Sequence, residues 1–230
     1  MAEPVRVNFG RKIPLFPFRD VVLLPHETLP LHVFETRYRQ MVGRCLDSVG
    51  QFAIATVDPD GTSESDAPAL RPVVCVGQII QHEPQPDGCV NLLLHGVCRA
   101  RIRTLHEPDD DRLYRAADLA ALDVDPDDGT IDKMRPHLRE LLHAERLERL
   151  EAIETIRQWA DHDSVPTRAL IDLLGFVLVR RTEPKYALLA EADVRQRCSM
   201  VRRELERMGS LIDGAGAQSW RDWPKGMSWN

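Results

Sequence analysis

The stretch LPHETLPLHVFE, residues 24–35, contains two histidines and two glutamates, which are residue types that can bind zinc. A zinc protease presents such residues as H-E-x-x-H on a helix, because histidines four positions apart face one metal ion. After His26 and Glu27, however, Pro30 takes the position of the second histidine and lies among apolar residues at alternate positions. This pattern favours a turn and a strand over a zinc site.

A second set of possible metal ligands surrounds a predicted hairpin and consists of His82, Cys89, His95 and Cys98. Their spacing matches no familiar zinc motif. The chain has five cysteines without a C-x-x-C pair, so neither a disulfide framework nor a zinc ribbon is indicated. We therefore predict buried thiols and no metal or other cofactor. The five are Cys45, Cys75, Cys89, Cys98 and Cys198.

Residue types of a hydrolytic triad occur together at Asp161, His162, Asp163 and Ser164. Consecutive side chains at a helix boundary cannot converge on one substrate atom, and helix capping accounts for Ser164. The sequence also lacks the phosphate-binding pattern G-x-x-x-x-G-K-[ST] and the nucleophile pattern G-x-S-x-G. We therefore expect a protein that is not an enzyme, and keep an enzyme with an unrecognised site as an alternative hypothesis.

Three arginines alternate along one candidate strand at Arg99, Arg101 and Arg103, and therefore share a face. We interpret them as a solvated face of a sheet. The alternative is a patch that binds nucleic acid or a small molecule. The net charge of -6 opposes nucleic-acid binding over a broad surface, because phosphate neutralisation needs concentrated lysine and arginine.

The composition, 43% hydrophobic and 29% charged, is that of an ordinary globular protein. No apolar run approaches the roughly 20 residues that a membrane span requires, and the start MAEPVRVNFGRK lacks the apolar stretch of a signal peptide. We therefore expect a cytoplasmic protein without a membrane partner.

The first half is predicted to be rich in short strands, which at this density favour a barrel or a sandwich. The turn PQPDG at 84–88 predicts a hairpin. One helix interrupts the strands, because Phe34, Tyr38, Met41, Val42 and Cys45 form a single apolar stripe. The candidate strands are 13–18, 20–24, 29–34, 51–58, 73–83, 89–94, 97–105 and 113–122.

From the polar stretch DVDPDDG onwards, apolar residues recur at helical spacing instead of alternating. The spacing predicts one long helix over 133–160, a second from Ser164, a third opened by Thr182 and Pro184, and a fourth capped by Asp193. We therefore divide the chain into a β domain at 1–122, a helical bundle at 123–212 and a tail at 213–230.

The tail DGAGAQSWRDWPKGMSWN holds three of the four tryptophans. Our interpretation is that Trp220 and Trp223 dock into an apolar groove of this molecule or of a neighbour, as aromatic anchors do at interfaces. The alternative is a flexible end.

The order of these features resembles a known family. The stretch IPLFPFRDVVLLPHETLPLHVFETRYRQMV is similar to the opening signature of the Lon protease N-terminal, substrate-binding domain, and LLLHGVCRARI at 92–102 resembles its second signature. The helical half has a similar layout, so the resemblance spans about residues 11–212. Thr36 departs from the pattern, because stand-alone relatives often have proline there.

The resemblance implies an α+β fold, namely a PUA-like β pseudo-barrel with one embedded helix and a C-terminal α-helical bundle. It also implies a non-catalytic module that binds unfolded or exposed apolar protein segments, as an adaptor in proteolysis or quality control, with a separate protease or ATPase as a possible partner. We take Phe34, Arg37 and Tyr38 as candidate peptide-binding residues, although periodicity alone places Phe34 and Tyr38 in the core. A monomer or a weak homodimer is expected.

Overall fold

The computed structural model describes residues 5–62, 67–123, 130–144, 151–162 and 164–217. Six strands precede five of the six helices. The strands are β1 (Ile13–Phe18), β2 (Thr28–Val33), β3 (Gln51–Val57), β4 (Leu70–Pro84), β5 (Val90–His106) and β6 (Ala116–Ala121). The helices are α1 (Thr36–Leu46), α2 (Thr130–Leu142), α3 (Glu151–Asp161), α4 (Thr167–Leu178), α5 (Thr182–Ala190) and α6 (Val194–Ala217). Across the described residues, no helix is long and apolar enough to cross a membrane.

Five of the strands close into a barrel. The sheet order is β2-β5-β4-β3-β1-β6, and β6 also pairs with β5, which completes the circuit. The pair β1 and β3 is parallel, with Leu15 opposite Ala53, whereas the other pairs are antiparallel. The interior is narrow and is filled by small and medium residues from all five strands, including Leu15, Ala53, Val74, Ala100 and Ala117. The predicted barrel is therefore confirmed.

The long hairpin of β4 and β5 extends beyond the barrel, and β2 pairs with β5 at the edge of this extension. Its turn is the predicted one, with Gly88 at a φ of 80° and the Gln85 N–H donating to the Cys89 carbonyl over 2.8 Å. Instead of two strands at 89–94 and 97–105, a single strand runs through both. Pro30 lies inside β2 opposite Leu93, on an edge strand that tolerates a missing N–H.

The segment predicted as a strand at 20–24 is irregular instead. Val22, Leu23 and Leu24 are buried in the main core, and the Glu27 carboxylate accepts the Leu24 N–H over 3.0 Å. His26 has a φ of 68°, which is uncommon for a residue other than glycine and confirms it as a turn residue. An apolar run alone could not distinguish this buried turn from a strand.

The embedded helix α1 buries Tyr38, Met41, Val42 and Cys45, as the apolar stripe predicts. The prediction is wrong for Phe34, which precedes the helix and is 62% exposed. The predicted apolar stripe included Phe34, but the helix begins only at Thr36.

The helical half differs from its prediction in three places. The predicted single helix at 133–160 is replaced by two, because α2 ends at Leu142 and α3 is a separate helix at Glu151–Asp161. Helix α4 begins at Thr167 and not near Ser164, because the residue before Pro166 is disfavoured in helical conformation. Helix α6 reaches Ala217, five residues into the predicted tail, whereas its start is confirmed by the Asp193 carboxylate, which accepts the Arg195 N–H over 2.9 Å.

One hydrophobic core crosses from the barrel to the helices. Side chains of the strands and of α1, such as Phe52, Cys75 and Met41, share it with Leu138, Leu170 and other residues of the helical half. The last strand ends at Ala121 and the next helix begins at Thr130. The division into two domains at residue 122 therefore stays a prediction. The barrel and the helical half share the larger of the two hydrophobic cores.

Candidate functional site

A groove of about 710 Å³ opens between the end of β1, strand β2, the start of α1 and the connection from β5 to β6. We call it the aromatic groove, because Phe16, Phe18, Phe34, Tyr38 and Tyr114 line it. Val21, Leu29, Leu31 and Leu113 add aliphatic surface. A mostly apolar concave surface with few polar groups is the usual form of a binding site.

The floor of the aromatic groove is a stack of rings. The Phe16 ring stacks on Tyr38, with centroids 4.1 Å apart and planes inclined by 24°, and on Phe18, with centroids 4.6 Å apart and planes inclined by 25°. Phe16 and Phe18 share one face of β1 because side chains alternate along a strand. Since Phe16 and Tyr38 are 7% and 4% exposed, their packing fixes the shape of the groove before any ligand arrives.

The rim at the start of α1 combines an exposed ring with an oriented charge. Arg37 donates two hydrogen bonds to one oxygen of Glu35, at 2.9 and 2.7 Å. The same guanidinium lies 4.6 Å from the centre of the Tyr38 ring, a cation–π geometry. Burial raises the pKa of Tyr38 above its usual value, so its hydroxyl is a neutral hydrogen-bonding group.

The opposite wall comes from the connection between β5 and β6, which α1 holds in place. Gln40 accepts the Leu113 N–H over 2.9 Å and donates to the Asp111 carbonyl over 3.1 Å. Arg44 donates to the same carbonyl over 2.6 Å. Both walls of the aromatic groove are therefore attached to one helix.

The structure brings all three candidate residues, Phe34, Arg37 and Tyr38, to the aromatic groove. Their role in peptide binding remains a prediction. Trp220 and Trp223, the candidate anchors of the tail, lie outside the described residues. The sequence reasoning missed Phe16 and Phe18, although their spacing of two along a predicted strand was a usable signal.

A smaller depression of about 380 Å³ lies on the β2–β5–β4 extension, and it shares Pro30, Leu31 and His32 with the aromatic groove. Its polar groups include Gln81 and Glu83. His32 and Asn91 are already hydrogen-bonded to each other at 2.7 Å. Unlike the aromatic groove, this depression has no phenylalanine, tyrosine or tryptophan among the described residues that line it.

The interpretation of Arg99, Arg101 and Arg103 as one solvated face is wrong for Arg99, which is 1% exposed. Helix α4 covers it, and its guanidinium donates to both oxygens of Asp172, at 3.0 and 2.6 Å. Arg197 and Asp123 complete this buried ion cluster, 3.1 Å apart. Arg101 and Arg103 are exposed, so the proposed three-arginine patch does not exist.

The catalytic and metal candidates do not form a site in the part of the chain that the structure describes. No group of three or more histidine, cysteine or acidic side chains there is arranged to hold a metal ion. Asp161 pairs with His143 at 3.2 Å and with Arg139 at 3.1 Å. Asp163 lies outside the described residues, and burial raises the pKa of Cys98 to about 11, which leaves it a poor nucleophile.

Comparison with known proteins gives one consistent result. A family described as the ATP-dependent protease La (LON) substrate-binding domain matches residues 12–207. The Lon protease of Escherichia coli strain K12 is 32% identical over 96 residues, which are 42% of this chain and 12% of that relative. Lon protease 1 of Myxococcus xanthus is 29% identical over 105 residues, or 44% of this chain and 13% of that relative.

Solved structures show the same fold. A Lon N-terminal domain protein from Xanthomonas campestris has a TM-score of 0.58 at 21% identity, covering 84% of this chain and 98% of that one. The N-terminal domain of the Lon protease of the Mycobacterium avium complex has a TM-score of 0.66 at 19% identity, covering 85% and 98%.

Proposed function

We infer the function from this premise: the chain belongs to the LON substrate-binding domain family, whose pattern extends over residues 12–207. The aromatic groove binds exposed apolar segments of unfolded polypeptides and leaves them chemically unchanged. The matched segment covers only 12% of the Escherichia coli Lon protease, so the activity of that whole enzyme is not carried over. We propose instead that the chain acts as an adaptor that presents such segments to a separate protease or ATPase.

The observation that carries this proposal is the exposure of Phe34 beside a preformed apolar floor. The Phe34 side chain is 62% exposed, whereas Phe16 and Tyr38 in the floor of the groove are buried. Exposed apolar surface next to a concave site marks an interaction surface more often than chance exposure does. A bound apolar side chain that removes roughly 100 Å² from water gains about 2.5 kcal/mol, so stable capture needs several such contacts along the aromatic groove.

Burial of side chains, rather than addition of a strand, is the main mode of binding. Among the described residues, β2 pairs only with β5, so its other edge is open to an extended peptide. Pro30 lies in the middle of this edge strand and has no N–H to donate. A peptide ladder along β2 would therefore be interrupted, whereas the ring stack of the groove is complete.

The test replaces Phe34 by serine and measures binding of a permanently unfolded, carboxymethylated protein by fluorescence anisotropy. The matched control is Ile80→Ser, because Ile80 is 56% exposed and does not line the groove. We expect Phe34→Ser to weaken binding about tenfold, as the loss of an aromatic anchor does. The melting temperature should be unchanged, since exposed substitutions alter stability by no more than about 0.5 kcal/mol.

Equal affinities of the wild type, Phe34→Ser and Ile80→Ser would contradict the proposed site. An equal loss in both variants would show that any exposed apolar residue contributes. Absence of binding by the wild type would contradict the proposed function itself.

A further inference from the structure

A second cavity, which we call the arginine pocket, lies where α4 ends and α5 begins, against α6. Its volume is about 210 Å³. Leu178, Val179 and Pro184 form an apolar base. Three arginines and one glutamate supply the charged lining, namely Arg180, Arg181, Arg207 and Glu204.

The charges of the arginine pocket are unbalanced. Glu204 is engaged by Arg207, whose Nε donates to it over 2.8 Å. Within the described parts of the chain, the guanidinium groups of Arg180 and Arg181 have neither an ion-pair nor a hydrogen-bond partner. One carboxylate thus faces three positive charges, in a protein whose net charge is -6.

The acidic side chain of α5 next to the pocket already has a partner. Glu183, the acidic residue in the first turn of α5, is bound through both oxygens to Arg71. The side chains of Arg180 and Arg181 are exposed, so both are accessible to a negative group on a ligand. A ligand that brings carboxylates would relieve the repulsion among the arginines.

We propose that the arginine pocket binds an acidic segment of a partner polypeptide, through adjacent carboxylates that pair with Arg180 and Arg181. The planar guanidinium matches a carboxylate with two parallel hydrogen bonds. Phosphate has a similar geometry, but a DNA duplex carries a charge about every 1.7 Å along its axis and is repelled by the acidic remainder of this protein. A short acidic peptide segment avoids most of that repulsion.

The arginine pocket is a neighbour of the aromatic groove. Thr182 follows Arg181 and its hydroxyl donates to the Asp20 carbonyl over 3.3 Å. Asp20 follows Arg19, which lines the groove. The proposal does not depend on occupancy of the groove, so it can be tested with a peptide that has no apolar residue.

The experiment uses the full chain and fluorescein-labelled hexaglutamate, with binding followed by fluorescence anisotropy. We expect the double substitution Arg180→Glu, Arg181→Glu to weaken binding about tenfold, because two exposed pairings contribute up to about 1 kcal/mol each. The control is Arg101→Glu, Arg103→Glu, two exposed arginines on β5, for which we expect a change of less than about twofold. Affinity should also fall as NaCl rises from about 50 to about 300 mM.

Three outcomes would overturn the proposal. One is absence of hexaglutamate binding by the wild type at low salt. Another is an equal loss in the two double variants, which would indicate a general charge effect. The third is tighter binding of hexauridylate than of hexaglutamate with the same dependence on Arg180 and Arg181, which would assign the pocket to phosphate. Because this peptide lacks apolar residues, none of these results bears on the aromatic groove.

Discussion

At the scale of single residues, the main feature is the buried ion cluster between barrel and helices. Arg99 and Arg197 come from different halves of the chain, and both are almost inaccessible to solvent. Asp172 lies between them, 2.6 Å from Arg99 and 3.6 Å from Arg197. Because buried charges without partners are costly, this cluster fixes α4 and α6 against β5.

Removal of one negative charge from the cluster should be strongly destabilising. Asp172→Asn leaves two buried guanidinium groups facing one remaining carboxylate, Asp123. We expect the free energy of unfolding, measured in urea, to fall by about 3–5 kcal/mol.

The control is Asp118→Asn. The Asp118 carboxylate is 47% exposed and pairs with His106 at 2.8 Å. Its loss should cost less than about 1 kcal/mol, as for other exposed pairs. Similar losses in the two variants would contradict the importance of burial.

The sequence could not have revealed this cluster. Arg99 alternates with Arg101 and Arg103, and nothing in that stretch distinguishes a covered arginine from an exposed one. Its partner Asp172 is 73 residues away. By contrast, the position of Asp193 at a helix start was predictable, because capping is a local interaction.

At the scale of elements, two glycines have opposite surroundings. Gly43 lies within α1, and a Cβ at this position would meet no atom within 4 Å. At Gly96, a Cβ would lie 2.2 Å from the Leu24 carbonyl oxygen. The close approach exists because Gly96 exchanges two backbone hydrogen bonds, both of 2.8 Å, with His26 and Glu27.

Alanine at these two glycines should change stability in opposite directions. We expect Gly43→Ala to raise the free energy of unfolding by roughly 0.5–1 kcal/mol, since alanine is the better helix former. Gly96→Ala should lower it by about 3 kcal/mol, the upper end for overpacked sites. Urea denaturation of both variants beside the wild type measures the difference, and a stabilising Gly96→Ala would show that the 24–27 turn is free to move.

Several elements were predictable because their signals are local. The bounds of β1 and the hairpin turn of β4 and β5 follow from alternation and from an Asp-Gly pair. Two predictions were wrong for the same reason, namely the strand at 20–24 and the single helix at 133–160. An apolar pattern shows that residues are buried, but buried residues can adopt several backbone conformations. The far wall of the aromatic groove contains Leu113 and Tyr114, which the sequence assigned to a strand at 113–122, whereas β6 begins only at Ala116.

At the scale of the whole molecule, the shared core decides whether the parts can exist separately. Leu24, in the turn before β2, is fully buried, and a Cβ on Gly175 of α4 would lie 3.4 Å from its Cδ1. Tyr186 of α5 accepts the Val73 N–H of β4 through its hydroxyl over 3.0 Å. The helices thus cover a large apolar surface of the barrel.

A fragment of residues 1–122 should therefore not fold stably by itself. We expect it to show no cooperative thermal transition by circular dichroism, because Leu24, Phe52, Cys75 and their neighbours would lose their cover. The comparison protein is a chain of residues 1–217, which keeps all described helices. A sharp transition of the short fragment, at a temperature close to that of the comparison protein, would show that the barrel is independent.

The order of Arg99 and Asp172 along the chain has a consequence for biosynthesis. Ribosomes add roughly 5–20 residues per second, so the 73 residues between these partners take about 4–15 s to emerge. Asp123, the other carboxylate near Arg99, is translated well before Asp172, but the closer pairing with Asp172 becomes available only at the end of this interval. The buried ion cluster therefore cannot be complete before α4 and α6 have been translated.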